Sequence, residues 1–429
     1  MYMPEKVSSL SLLSLAIIFT SISLAAMMIL STVIWHANYA SALEQNTPLS
    51  QQQQKNDNIN HESNITKKFT LIADEKVVKI SPNNFFHPNG ILYKAMTFNY
   101  TIPGPVIAVN QGDTFQITLK NRGEIIHSLD LHGIEGPNQA LSGAVQPGES
   151  KTWRLKAINA GVFMYHCDGD NLNGIWDHIA SGMYGGIVVH SKDERKAAKE
   201  FYIVFGEVYN NAEKELFNDT IHTNATATTT TTTSSSPLID NAKANYTALI
   251  QKKEEQKIGS FDMAKFIANK PDLILTNGMA YKYMPFFGSQ NRIILNENAE
   301  LFRVKPGELT RWYIVNAGPR GNVAFNFVSG MINSISYHAN KSNAIGGKNN
   351  DNSNNNNNST SAIPLSTKLY EVSIPPGSAQ TIEVTFPQEG TYVGNDHDIG
   401  RFLIGAGFAV LATNSSASSD YPTGTRVPS

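Results

Sequence analysis

The chain has 429 residues, a formal net charge of -2 and 41% hydrophobic residues. This near-neutral balance, with basic residues scattered along the chain, gives no electrostatic basis for nucleic acid or an anionic membrane surface as a partner. The length suits two domains with packed cores, and a lone cysteine, Cys167, excludes an intramolecular disulfide.

From Val7 to Trp35 no side chain is charged, Lys6 precedes the run, and Ala40 and Ala42 resemble a small-residue cleavage site. The run is also long enough to cross a bilayer as a hydrophobic helix. Residues 1–42 therefore read as a signal peptide or a membrane anchor, and either places the folded part outside the cytoplasm. Residues 43–67, rich in Gln and Asn, read as a disordered tether. Short β-type segments follow over 68–193: "DTFQITLKN", "KTWRLKA", "GVFMYHC" and "GGIVVH", bounded by Gly, Pro and Asn. Residues 194–260 read as a connecting strand, "EFYIVFGEV", and a Thr/Ser-rich linker. Residues 261–413 return to the β pattern with "LFRVK", "TRWYIVN", "QTIEVTF" and "GFAVLAT", interrupted by an Asn-rich insertion at 340–362, and 414–429 read as a disordered tail. N-x-[ST] sequons at Asn64, Asn218, Asn224, Asn245 and Asn414 are compatible with a glycosylated exterior.

The chain repeats itself. "QPGESKTWRLKAINAG" (Gln146–Gly161) is echoed by "PPGSAQTIEVTFPQEG" (Pro375–Gly390), with the same spacing from Gly148 to Gly161 as from Gly377 to Gly390, and "LKNRG" before His127 is echoed by "IVNAG" before Asn326. The fold class is thus all-β, built as two tandem β-sandwiches.

"YHCDGDNLNGIWDHIASGM" (Tyr165–Met183) surrounds the cysteine with histidines and a methionine. Cys167, His178 and Met183 on one strand-loop-strand segment, with His127 from an adjacent strand, form a thiolate, two imidazoles and a weak thioether: the donor set of a blue, type 1 copper site. Zinc accepts Cys and His but has no use for Met. Strand alternation then separates a second set, because if Cys167 points into the sandwich, His166 points out. In an extended "HSLDLH", Asp130 and His132 share a face from which His127 diverges. Two imidazoles and a carboxylate directed away from the first site imply a second copper, and His397 in "NDHDIGRF" offers a further ligand. His61, His87, His190, His222 and His338 lack such company and read as surface or structural. With no second cysteine, and Ala324 standing for His127 when Gly133 is aligned with Gly330, the second sandwich has no type 1 site of its own.

Taken together, "TIPGPVIAVNQGD", "HSLDLHG", "YHC", "HIASGM", "LTNG" and "NDHDIGRF" resemble, in order, the landmarks of the two-domain copper-containing nitrite reductases and related two-domain multicopper oxidases, from about Phe69 to Thr413. The resemblance implies two cupredoxin-like Greek-key sandwiches, with type 1 copper on His127, Cys167, His178 and Met183. It places type 2 copper on His132, His166 and the His397 of a neighbouring subunit, hence a homotrimer. Electrons would come from a small donor protein, a cupredoxin or cytochrome, pass from type 1 to type 2 copper, and reduce nitrite, a small-molecule substrate, to nitric oxide. Asp130 would be the catalytic proton donor. Two departures stand out: Asn326 occupies the family's second proton-handling position, where the family has histidine, and Asn does not titrate; and the loop "DGDNLNGIWD" is long and acidic. Asn326 leaves open a reaction on hydroxylamine or oxygen. A pure blue-copper electron carrier is the alternative of another class, whereas a trinuclear laccase-like cluster lacks its H-x-H pairs here.

Overall fold

The structure, a computed structural model, describes residues 65–429 apart from 85, 135–142, 171–172, 193–196, 213–257, 290–291, 297, 338–362, 416–420, 423 and 429. The N-terminal apolar run expected to form a helix, the Thr/Ser-rich run, the Asn-rich insertion, and His61, His222 and His338 fall outside the described residues. Among those described, no helix is long and apolar enough to cross a membrane.

Ile65–Ser429 is one compact unit. Its first half runs β1 (Ile65–Ser81), β2 (Ile91–Phe98), β3 (Ile107–Asn110), β4 (Thr114–Asn121), β5 (Asp130–Leu131), β6 (Ser150–Lys156), β7 (Gly161–His166), the small hairpin β8 (Gly169–Asp170) and β9 (Asn173–Gly174), helix α1 (Ile175–Ala180), and β10 (Tyr184–His190). The second half has β11 (Lys199–Val208), β12 (Ile258–Gly259), α2 (Met263–Ile267), β13 (Leu273–Thr276), hairpin β14 (Phe286–Ser289) and β15 (Arg292–Leu295), and β16 (Phe302–Val304). It continues with β17 (Leu309–Gly318), β18 (Val323–Val328), β19 (Ile332–Tyr337), β20 (Ile363–Leu369), β21 (Glu371–Ile374), β22 (Ser378–Thr385), β23 (Gly390–Asp396), α3 (Ile399–Leu403) and β24 (Gly407–Ala412).

Sheets ordered β12-β2-β1-β4-β6 and β3-β10-β7-β5 form one sandwich; sheets ordered β13-β11-β17-β22-β19-β20 and β16-β24-β23-β18-β21 form the other. The repeat read from the sequence is present down to single hydrogen bonds. Asn121 donates to the carbonyls of Ile125 and Val145 and accepts from the Gly123 N–H; Asn316 donates to Gly321 and Ile374 and accepts from the Gly318 N–H. Gly148 N–H donates to Asn121 and Gly377 N–H to Asn316. Each asparagine thereby satisfies backbone groups that a turn leaves without a ladder partner.

Two expectations change here. Strand β11, read as a connector, pairs parallel to β17 as β1 pairs parallel to β4, so it opens the second sandwich. The long polar insertion after it masks that membership in the sequence. The tail, read as disordered, packs back: Tyr202 N–H donates to the Thr425 carbonyl, Val427 is buried, and Tyr421 lies against Phe201. Its few apolar anchors, diluted among polar residues, leave little compositional signal.

Strands half-buried in one sandwich alternate, as β4 does; β10 and β11 are buried almost throughout, because both of their faces are covered. One face of β10 joins the first core. The other meets the second sandwich in a shared cluster of Val162, Met164, Tyr184, Tyr202, Tyr313 and Val315. Glycines let β10 be packed on both sides: a Cβ on Gly186 would collide with Tyr202 at that seam, and one on Gly185 with Tyr165 in the first core.

Candidate metal centres

Strand β7 delivers His166 as its last residue and Cys167 immediately after it, so the two side chains leave the backbone on opposite faces. The chain then turns through the β8–β9 hairpin into α1, which carries His178. This is a short helix where the sequence suggests a loop. Gly174 begins it with φ 90°, a left-handed conformation that suits glycine, and a Cβ there would sit 2.8 Å from the Asp177 carboxylate. Met183 N–H donates to the His178 carbonyl and Cys167 N–H to the Met183 carbonyl, tying helix and strands together around the thiol.

The Cys167 Sγ lies 3.2 Å from His178 Nδ1 and 3.7 Å from His127 Nδ1, and it accepts the N–H groups of Ser128 at 3.2 Å and Gly169 at 3.3 Å. Cys167, His127 and His178 are buried, and Met183 is fully buried in the same core cluster as Cys167. A soft thiolate with two Nδ1 donors, dry and pre-aligned, fits copper. His127 Nε2 is 2.7 Å from Glu75 Oε1, which fixes the ring and its tautomer. Glu75 carries no sequence signal, because only the folding of β1 brings it to His127.

Burial opposes ionisation of Cys167, but hydrogen bonds from His127 and His178 outweigh it and hold the pKa at about 5, against an ordinary 9.0. Burial also opposes the charged form of His127; contacts with Cys167 and Glu75 win and raise it to about 9. The metal-free protein thus holds a thiolate–imidazolium pair. The thiolate's stabilisation is lost as pH falls through about 5 and that of the His127 imidazolium as pH rises through about 9, so the pair stabilises the fold most between the two. In metal-free protein the ultraviolet thiolate absorption is therefore expected to persist from neutral pH down to about 5; titration near the ordinary thiol value would contradict the pairing.

On the other face, the donor atoms of Asp130, His132 and His166 lie within 4.8 Å of one another. The two Nε2 atoms face each other at 3.0 Å, and Asp130 Oδ2 is 3.9 Å from His132 Nε2 and 3.7 Å from His166 Nε2. Both rings are held from behind: His132 Nδ1 is 3.0 Å from the Gly377 carbonyl and His166 Nδ1 is 3.1 Å from Asp168 Oδ1. Gly377 and Asp168 are thus supports that sequence reasoning missed. Burial lowers the His132 pKa, with the neighbouring His166 acting in the same direction; for His166, burial is outweighed by Asp168, which raises it.

Only Asp130–Leu131 of "HSLDLH" is a regular strand, yet the expected divergence of His127 from Asp130 and His132 holds. His397 is not part of either cluster within one chain. It sits before α3, exposed, with Nδ1 2.7 Å from Glu371 Oε2. Asn326 is fully buried on β18, opposite Glu371 and Asn395, and neither of its amide atoms has a hydrogen-bond partner. His87 is buried beside Tyr281, burial lowering its pKa to about 4, and His190 stands 3.9 Å from Glu200.

In the second sandwich the pairing of Val323 with Ile374 repeats the bridge of His127 with Val145, so Val323, one residue before the expected Ala324, takes the place of His127. The alignment on Gly133 and Gly330 slips by one, since glycines mark turns whose lengths differ. Asn326, opposite Asn395, takes the place of Asp130, opposite His166.

The multicopper oxidase family model matches residues 82–194. A copper-containing nitrite reductase of Neisseria gonorrhoeae is 27% identical over 317 residues, 73% of this chain and 61% of that protein. The chain thus spans about three fifths of the length of this relative and of two similar nitrite reductases of Neisseria meningitidis. A copper-containing nitrite reductase of Neorhizobium galegae is 38% identical over 156 residues, 35% of this chain and 38% of that protein. Among solved structures, the copper nitrite reductase of Nitrosomonas europaea superposes with a TM-score of 0.57 at 26% identity, covering 81% of this chain and 95% of that one.

Proposed function

We propose that this chain, whose residues 82–194 match the multicopper oxidase family model, is a copper oxidoreductase that passes electrons from a type 1 to a type 2 copper and reduces nitrite to nitric oxide. The observation that carries this reading is the pair of donor clusters set back to back on one strand end, with Asp130 beside the outer one. His127, Cys167, His178 and Met183 would hold the first metal, and His132 and His166, with His397 of a neighbouring subunit, the second, giving one of each per subunit. Copper bound there supplies one-electron redox chemistry and a position for a small anion.

The chain's own residues do the rest. The peptide unit between Cys167 and His166 joins the two clusters covalently. Asp130 Oδ2, partly exposed and within 4 Å of both Nε2 atoms, can hold a proton and release it to a bound oxygen. His397, partnered by Glu371 through Nδ1 in its own chain, would contribute its Nε2 to the outer cluster of a neighbouring subunit in a homotrimer. A small electron-donor protein would reduce the first site, and the apolar run at 7–35 supports an extracytoplasmic, secreted or anchored location.

Anaerobic turnover of nitrite with a reduced artificial donor is expected to yield nitric oxide, and His132→Ala to abolish it; a fully copper-loaded wild type that releases none sinks the reading. Buried, non-titrating Asn326 favours one second reading: the same centres acting on hydroxylamine or oxygen, which the same assay with those substrates separates.

A further inference from the structure

The second sandwich keeps the framework of the Cys167 site with different occupants. In the first sandwich Cys167 Sγ accepts from Ser128 and Gly169, Cys167 N–H donates to Met183, and Met183 N–H donates to His178. In the second, Asp396 Oδ1 accepts from Ala324 at 3.0 Å and Asp398 at 3.2 Å, Asp396 N–H donates to the Ala406 carbonyl, and Ala406 N–H donates to the Arg401 carbonyl. Asp396 therefore stands for Cys167, Arg401 for His178 and Ala406 for Met183.

The correspondence extends to the glutamates. β1 pairs Ala73 with Asn121 and β11 pairs Phe205 with Asn316, and two residues further along each strand come Glu75 and Glu207. Glu75 reaches the imidazole of His127. Glu207 Oε1 reaches Arg401 Nη1 at 2.6 Å, while Arg401 Nε reaches Asp396 Oδ2 at 2.6 Å. Glu207 and Asp396 have fully buried side chains, and Arg401 is nearly so. A guanidinium bridges two carboxylates in the place that the first sandwich reserves for a cation.

We propose that Arg401 does in the second sandwich the structural work of a metal ion, and that the Glu207–Arg401–Asp396 bridge is a positioning device for His397. His397 follows Asp396 directly, and its N–H donates to Ala324. Asp398, on its other side, caps α3 through the N–H groups of Gly400 and Arg401. The guanidinium thus closes a loop from residue 401 back to residue 396, with His397 at its tip. Glu371 holds Nδ1 and leaves Nε2 as the outward donor.

This inference rests on His397 being a copper ligand in the assembled protein. The test uses the full copper-loaded chain, with Arg401→Met and a charge-neutral variant, Glu207→Gln/Asp396→Asn/Arg401→Met, which leaves no buried charge unpaired and retains an acceptor oxygen at 396. Type 2 copper is measured by EPR during chelator titration, type 1 copper by its blue absorption, and folding by circular dichroism. Expected is a roughly tenfold to hundredfold loss of type 2 affinity, the scale of losing a ligand's supporting partner. Blue absorption should be unchanged, and Arg401→Met should cost nothing further when added to His397→Ala. Wild-type affinity in either folded variant, or fully additive losses in the double variant, overturns the proposal. His397→Ala with undiminished type 2 copper overturns it together with its premise. Failure of the nitrite reading has a different signature, a fully loaded wild type that makes no nitric oxide.

Discussion

Cys167→Ser is expected to abolish the thiolate-to-copper charge-transfer colour and lower bound copper from about two to about one per subunit, the type 1 site depending on its soft donor. The hydroxyl neither ionises nor reaches as far as the sulfur, which now accepts two backbone N–H groups and faces two imidazoles within 3.7 Å. Turnover driven by a protein donor should fall by about a thousandfold or more, as when one member of a unit that acts together is removed. The type 2 EPR signal should survive, because His132 and His166 meet on the other face. A variant that keeps its colour refutes the assignment of Cys167.

Asp130→Asn is expected to leave both coppers bound and both spectra close to wild type, while nitrite turnover falls by about a hundredfold to ten-thousandfold. The carboxylate lies 3.7 and 3.9 Å from the imidazole nitrogens, too far to be the main anchor of either ring; those anchors are Asp168 and the Gly377 carbonyl. Its removal therefore separates proton handling from metal binding. The deficit should appear in kcat, with little change in KM. Loss of type 2 copper in this variant would instead make Asp130 a structural support.

The donors are legible in the sequence because they lie in short, patterned segments: alternation alone sends Cys167 and His166 to opposite faces and keeps Asp130 with His132. The supports are not. Glu75 meets His127 from across the sandwich, Gly377 contributes only a carbonyl, and Asp168 is a single acid in an acidic loop; each acquires meaning through tertiary contact. The strands of both sandwiches are readable from short β-rich runs, whereas β11 reads as part of a linker because a Thr/Ser-rich run lies soon after it in the chain. The helix holding His178 escapes a sequence reading because it is little more than one turn, set up by the left-handed Gly174 and not by any apolar period.

The seam between the sandwiches also bears on how firmly the outer cluster is held. His132 is steadied by a carbonyl of the opposite sandwich, and the halves share two continuous interiors, one around Tyr184 and Tyr313 and another around Tyr93 and Tyr281. Separating the halves would pull the His132 ring from its anchor and expose both interiors to water, so the packing that joins the sandwiches also sets the distance between His132 and His166.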